Sequence, residues 1–231
     1  MKLKNTELKD AFKSMTSSQL SDYKFLSNFI FDKIGVKLNT SKLSITEKMD
    51  CWGGLLCKQY PDELAKLLVL LYKYKNNINS FCEIGSEKGG TFYTIDSFLR
   101  AINPNMGKSL ATDRSGKILN LFNEYRIENP QAQFLRINSI NFKPDQNYDF
   151  CFIDGDHSYE GCKQDFYLMQ NYSKIIALHD IKFKYTKIGV HKLWDEIDIP
   201  KVELLNEDNR FPVSLGIGII FLKEYECQNQ P

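Results

Sequence analysis

The sequence predicts an α/β fold: a doubly wound, mostly parallel sheet with helices on both faces, preceded by a helical extension. Three observations carry this. From Ser80 onward, short and largely apolar segments recur, as expected of strands buried on both sides. Helical stretches alternate with them, as βαβ units require. Glycine, aspartate or histidine stands just after several segments, where a strand hands over to a helix.

Composition narrows the classes first. The 231 residues can bury a full core without staples. A net charge of +1 speaks against a dedicated nucleic-acid binder. At 42% hydrophobic the chain is too apolar to be disordered. The richest apolar stretch, Leu64 to Tyr72, is short and carries Lys66, so no membrane span is expected. The opening Met1-Lys2-Leu3-Lys4-Asn5 is polar and has no apolar signal-peptide core. Six dispersed cysteines (Cys51, Cys57, Cys82, Cys151, Cys162, Cys227) form no C-x-x-C pair, so reduced thiols are expected. The expectation is a cytoplasmic globular protein.

The first 60 residues read as short helices and loops, with a helix start expected around Thr46-Glu47-Lys48-Met49 or Trp52. Pro61-Asp62-Glu63 is a stronger start, since proline needs no donor in a first turn and acids suit its positive end. Leu64, Leu67, Leu68 and Leu71 follow at helical spacing. Strands are then expected at Ser80 to Ile84, Ser109 to Thr112, Gln133 to Ile137, Asp149 to Ile153, Ile175 to Leu178 and Gly216 to Leu222. Helices are expected at Thr91 to Ala101, Gly116 to Tyr125 and Tyr159 to Tyr172. His191 and Trp194 fall on an amphipathic helix, where a surface role for His191 is expected. Residues 226–231 read as a tail.

Ligands of an open α/β sheet sit at the carboxyl ends of its strands. After the first strand, Gly85, Gly89 and Gly90 frame a turn that allows close backbone approach, although the same turn serves a plain strand-to-helix connection. Glu87 stands where a dinucleotide fingerprint requires glycine. Asp113, after the second strand, is suited to ribose hydroxyls and equally to capping the next helix. The fourth strand ends Ile153-Asp154-Gly155-Asp156-His157-Ser158 and the fifth ends Leu178-His179-Asp180. Ser158 and Asp156 are also fit to cap a helix. Together, though, the two strand ends gather carboxylates and imidazoles at a cost that a cation or substrate would offset. Asp154, Asp180 and His179 form an oxygen-rich set suited to Mg²⁺ or Mn²⁺.

At these residues the sequence resembles class I S-adenosylmethionine-dependent methyltransferases. More narrowly it is similar to the cephalosporin-hydroxylase-like group and the metal-dependent sugar and macrolide O-methyltransferases. The resemblance spans about residues 58 to 222. It rests on Gln59-Tyr60-Pro61-Asp62-Glu63-Leu64, Glu83-Ile84-Gly85 with Gly89-Gly90-Thr91, Asp113, Ile153 to Glu160, Leu178-His179-Asp180, and Gly189-Val190 with Leu193-Trp194. It implies a Rossmann-like sheet with an antiparallel last strand, and a catalytic domain over 61–225. It implies that Glu83, Gly85 and Gly89, with Ser86, Gly90 and Thr91 of the same turn, bind the methionine part of S-adenosylmethionine. Asp113 would take the ribose, Asn138 and Ser139 would lie near the adenine, and Asp154 would border the cofactor. The metal would be held by Asp154, His179 and Asp180, with His157 as general base. His179 departs from the group's pattern by replacing an oxygen ligand, which leaves it a ligand of Mn²⁺ or Fe²⁺, a base, or a support for the ligands.

The resemblance thus implies methyl transfer to a hydroxyl of a sugar or small molecule, assisted by Mg²⁺ or Mn²⁺. Residues 1–60 would serve as a lid or as a dimer contact, the latter making a homo-oligomer. Two rivals stay open: a metal-independent methyltransferase using His157 alone, and a non-catalytic Rossmann-like binding module. A nicotinamide oxidoreductase is disfavoured by Glu87.

Overall fold

The computed structural model describes residues 1–37, 53–185, 188–211 and 213–222. The expected helix start at Thr46 to Trp52, Cys51, Cys227 and the expected tail lie outside the described residues. The N-terminal segment does form short helices: α1 (Leu8–Lys13), α2 (Ser17–Leu20) and α3 (Tyr23–Phe29), with α3 running into a π-helical turn at Ile30–Ile34. Local capping starts them. The Thr16 hydroxyl accepts from Gln19 N, and the Asp22 carboxylate accepts from Lys24 N and Phe25 N. These helices pack on the rest of the chain. Leu8, Phe12, Leu26 and Ile30 share one buried cluster with Phe81, Phe92 and Phe98, and Phe12 meets Phe98 edge-on at 5.2 Å.

Helix α4 (Pro61–Lys73) starts where proline and two acids predict, and it is more deeply buried than an amphipathic helix. Leu64, Leu67, Leu68 and Leu71 are fully buried, each contributing roughly 1.5–3 kcal/mol. Three further helices, α5 (Gly90–Ile102), α6 (Leu119–Glu128) and α7 (Tyr159–Gln170), connect parallel strands, and α8 (Val190–Glu196) follows the fifth strand.

The strands are β1 (Phe81–Ile84), β2 (Ser109–Asp113), β3 (Ala132–Arg136), β4 (Tyr148–Ile153), β5 (Ser173–His179), β6 (Lys201–Leu204) and β7 (Ile217–Phe221). They form one sheet in the order β3-β2-β1-β4-β5-β7-β6. The first five are parallel, and β7 runs antiparallel between β5 and β6. Alternation along each strand feeds two cores. Phe81, Ala111, Phe150 and Ala177 face the side of α4, α5 and α6, while Cys82, Leu110, Cys151 and Ile176 face α7 and α8. Gly218 on β7 makes room for Trp194, since a Cβ there would lie 2.4 Å from the indole ring.

Strand β6 is absent from the sequence-level expectation. It is an edge strand whose Lys201 and Glu203 break the apolar run, and Pro200 opens it.

Register positions the site. Thr112, Ile84, Ile153 and Leu178 form one continuous row across β2, β1, β4 and β5. The next residue on each strand is therefore Asp113, Gly85, Asp154 and His179, delivered side by side at one edge of the sheet. No helix among the described residues is long and apolar enough to cross a membrane.

Candidate active site

Above that row lies a cavity of about 720 Å³, within the range of small-molecule sites. Gly85, Asp113, Asn138, Ser139, Asp154, His157, His179 and Asp180 line it, eight of the residues the sequence singled out.

The glycine turn is built from backbone that side chains resist. Gly85 has φ +92°, and a Cβ there would sit 2.2 Å from the Asp154 carbonyl oxygen, so β1 and β4 can part only around a glycine. Gly89 has φ +86° and a Cβ would press on Tyr93 and Ile118. Asp113 ties two loops together: Oδ2 accepts from Glu87 N at 2.8 Å and Oδ1 from Ser115 N at 2.6 Å. Its turn-capping role is therefore real, and it still faces the cavity. Ser158 and Asp156 likewise cap α7, the Ser158 hydroxyl accepting from Gly161 N and Asp156 Oδ1 from Ser158 N.

Three residues of the glycine turn do not line the cavity. Ser86 is buried with its hydroxyl 3.4 Å from the Thr112 carbonyl oxygen. Gly90 abuts Leu55 and Cys57, and the Thr91 hydroxyl lies 3.5 Å from Cys57 Sγ. Gly90 and Thr91 thereby pack Leu55 and Cys57 against α5.

Glu83 lies behind the wall, 1% exposed, with Oε2 lacking any partner. Burial first, then the nearby Asp154 and Asp113 carboxylates, push its carboxyl well above the ordinary range. An orphaned buried acid at the end of β1 fits a ligand that brings a cationic group, as the amino-acid end of S-adenosylmethionine does. The cavity volume and the ring of Gly85, Asp113 and Asn138 also fit a nucleoside.

The β4 and β5 ends form one hydrogen-bonded cluster. Asp154 Oδ1 is 3.0 Å from His179 Nδ1 and 3.3 Å from His157 Nε2. His157 Nδ1 is 2.5 Å from Asp180 Oδ2, and His179 Nδ1 is 3.4 Å from Asp180 Oδ1. Asp154 Oδ2 accepts from Gln59 Nε2 at 2.8 Å. Burial alone would raise the Asp154 carboxyl, but His179 and His157 hold it well below its usual range. Hydrogen bonds to Asp154 and Asp180 push His157 up to about 10. Burial opposes charge on His179, yet Asp154 and Asp180 raise it to about 9. Asp180 has φ +64°, in the left-handed region that few non-glycine residues adopt.

Two carboxylates and an imidazole on neighbouring strand ends suit a hard divalent ion in kind. Yet among the described residues no three His, Cys, Asp or Glu side chains are spaced to hold one. The carboxylate oxygens are instead engaged by imidazoles, and an ion would have to displace His157 from between the two acids.

The sequence-level reading gave no role to Gln59, Tyr60, Lys37 or Lys58. The last three line the cavity, and Gln59 holds Asp154. The available signal was the helix start at Pro61, which puts the two residues before it at the mouth of α4. His191 lies on α8, away from this cavity.

No protein-family model matches the chain, and no curated protein matches it in sequence. Solved structures do match in shape. The TDP-rhamnose 3′-O-methyltransferase CalS11 of calicheamicin biosynthesis superposes with a TM-score of 0.56 at 12% identity, covering 93% of this chain and 99% of its own. The O-methyltransferase TomG from Streptomyces achromogenes, in complex with S-adenosylmethionine, gives 0.54 at 13% identity, covering 91% and 100%. An O-methyltransferase from Bacillus cereus gives 0.52 at 14%, covering 91% and 93%. With the strand order and the antiparallel β7, these likenesses show that the chain has the class I methyltransferase fold.

Proposed function

We propose that the protein is an S-adenosylmethionine-dependent O-methyltransferase acting on a hydroxyl of a sugar or other small molecule. The carrying observation is the row Gly85, Asp113, Asp154 and His179, which faces one cavity with the orphaned Glu83 carboxyl behind it. Fold alone does not choose chemistry. Here the fold's ligand edge also carries the acids and imidazoles that methyl transfer to oxygen would use. The three structural neighbours above, one of them named for a sugar substrate, agree with this choice.

When bound, S-adenosylmethionine supplies a methyl group on a sulfonium centre. Asp113 would accept from the ribose, Glu83 would meet the ammonium, and Asn138 and Ser139 would border the adenine. Transfer would join the methyl group to the acceptor oxygen, leave the S–CH₃ electron pair on sulfur and pass the hydroxyl proton to His157. Both His157 nitrogens face carboxylates. Base function therefore requires His157 first to lose a proton and give up one of those bonds. Asp154, Asp180 and His179 would hold a divalent ion only once His157 had moved from between the two acids, and such an ion would supply Lewis acidity to the acceptor hydroxyl. Lys37 and Lys58 on the cavity wall support a role for the N-terminal segment in shaping the acceptor site.

The test combines calorimetry with a methyl-transfer assay over hydroxylated acceptors. Wild type should bind S-adenosylmethionine in preference to NAD. Asp154→Ala should keep cofactor binding and lose metal-dependent turnover. No adenosyl binding at all would reject the reading, and equal turnover in EDTA and Mg²⁺ would reject the metal's part in it.

A further inference from the structure

Two extended segments outside the main sheet bring lysines together on the cavity wall. Val36 and Cys57 form a parallel bridge, with Lys37 N donating to the Cys57 carbonyl at 2.8 Å and Cys57 N to the Gly35 carbonyl at 3.0 Å. Val36 and Cys57 are both fully buried, so the next residue on each segment, Lys37 and Lys58, turns to the opposite side. Both lysines are exposed there, and both line the cavity. Like charges directly opposite each other on paired segments are destabilising.

A third ammonium joins them through one acid. Glu87 Oε2 is 2.9 Å from Lys58 Nζ, and its Oε1 is 3.6 Å from Lys117 Nζ. Glu87 and Lys117 line the same cavity. Burial alone would raise the Glu87 carboxyl, but Lys58 and Lys117 hold it below its usual range. Lys37 has no acidic partner within 4.0 Å among the described residues. Asp113, on the same wall, already accepts from Glu87 N and Ser115 N. Glu87 is held at φ +44°, and Leu56, two residues before Lys58, at φ +53°. Such left-handed backbone persists at non-glycine residues only where the surroundings enforce it.

Three ammoniums thus meet one carboxylate, an excess of two positive charges on this wall. A group with about two negative charges and several acceptor oxygens would offset it, as a phosphate monoester does near pH 7. A neutral sugar would offset none of it, and a single carboxylate only half.

We propose that the acceptor is a phosphorylated molecule whose phosphate monoester is held by Lys37, Lys58 and Lys117 while its hydroxyl lies toward Asp154 and His157. This deepens the O-methyltransferase reading above and rests on it. The three lysines are binding residues, and Glu87 positions two of them.

The probe is inorganic phosphate, titrated by calorimetry at low ionic strength into protein saturated with S-adenosylhomocysteine, with thermal melting as a check on folding. Wild type should bind phosphate equally well with and without S-adenosylhomocysteine. Lys37→Gln and Lys58→Gln should each weaken phosphate about 3–10-fold, between an exposed ion pair and a charge-assisted hydrogen bond. Both should keep S-adenosylhomocysteine within about twofold of wild type. Lys58→Arg keeps the charge and should hold phosphate within about threefold. Lys13→Gln removes the same charge from the end of α1, away from the cavity, and should change nothing. Absence of phosphate binding, equal weakening by Lys13→Gln, or a loss in Lys58→Arg as large as in Lys58→Gln would each overturn the proposal. So would competition between phosphate and S-adenosylhomocysteine, which would assign the lysines to the cofactor's carboxylate. In the methyl-transfer assay sugar phosphates should be methylated in preference to their parent sugars, and the reverse preference would overturn it as well. Wild type that binds phosphate but not S-adenosylhomocysteine would instead bring down the underlying methyltransferase reading.

Discussion

His157 joins the ends of two neighbouring strands: its Nδ1 stands 2.5 Å from Asp180 Oδ2 after β5, and its Nε2 stands 3.3 Å from Asp154 Oδ1 after β4. An imidazole bonded to a carboxylate through each nitrogen is held in its cationic form. In the metal-free protein, with a chelator present, His157 should therefore stay protonated well past pH 8. Its value is pushed up to about 10 from an ordinary 6.5, mainly by hydrogen bonds to Asp154 and Asp180. The sign for stability follows: the pairing contributes fully below about 6.5 and is lost as pH rises towards 10. Side-chain ¹⁵N shifts should show the late titration, and Asp180→Asn should move it to lower pH. An ordinary titration near neutrality in the wild type would refute the pairing.

How much of this was visible beforehand depends on which residues one asks about. The parallel strands were legible because a strand buried on both faces has few polar positions, and Tyr148 to Ile153 carries one, Asp149. The strand-end acids were legible because charge just after such a run is costly without a purpose. β6 was not, because an edge strand exposed at Val202 and Glu203 reads like a loop. Nor was Gln59. Its meaning comes from a residue 95 positions away, and no local pattern reports a contact of that range. Gly90 and Thr91 sit in the glycine turn by sequence, yet the space beside them is taken by Leu55 and Cys57.

Gly85→Ala should be among the most damaging single-methyl changes in the chain. Its φ of +92° costs an L-residue about 1–2 kcal/mol. The added Cβ would also lie 2.2 Å from the Asp154 carbonyl, a backbone atom that cannot swing aside, adding about 1–3 kcal/mol of overpacking. Gly116→Ala is the control, since its nearest neighbour would be Leu119 Cδ1 at an ordinary 3.4 Å. Denaturant unfolding should show a loss of about 2–5 kcal/mol for the first and under about 0.5 kcal/mol for the second. Equal stabilities would mean that the β1 and β4 ends are not locked around this glycine.

Glu63 anchors the cavity wall from below. Fully buried in the first turn of α4, it accepts from Ser214 Oγ at 2.5 Å and from Gly216 N at 2.9 Å. Val213 and Leu215 on that same segment line the cavity. Glu63→Ala should cost about 2–4 kcal/mol through lost charge-assisted hydrogen bonds. Because the wall is loosened and the acids are untouched, the acceptor's KM should rise more than kcat falls. A change in kcat alone would contradict that division.

Asp165 separates burial from function. It is 1% exposed on α7, neither oxygen has a partner at normal hydrogen-bond geometry, and burial pushes its carboxyl up to about 6, with the Ser139 hydroxyl opposing only in part. A carboxyl whose folded value exceeds its unfolded value of 3.8 carries no ionisation penalty when protonated and a growing one as pH rises from about 4 to about 6. At pH 7.5 the full penalty applies, roughly 2–3 kcal/mol from a shift of that size. Asp165→Asn keeps the shape and removes the charge. It should raise the melting temperature by about 5–10 °C at pH 7.5 and by little at pH 4. The pH dependence is the decisive part. A stabilisation of equal size at both pH values would trace to packing, whereas a destabilisation at pH 7.5 would mean that the ionised carboxylate is paired by a ligand that enters from the Ser139 side.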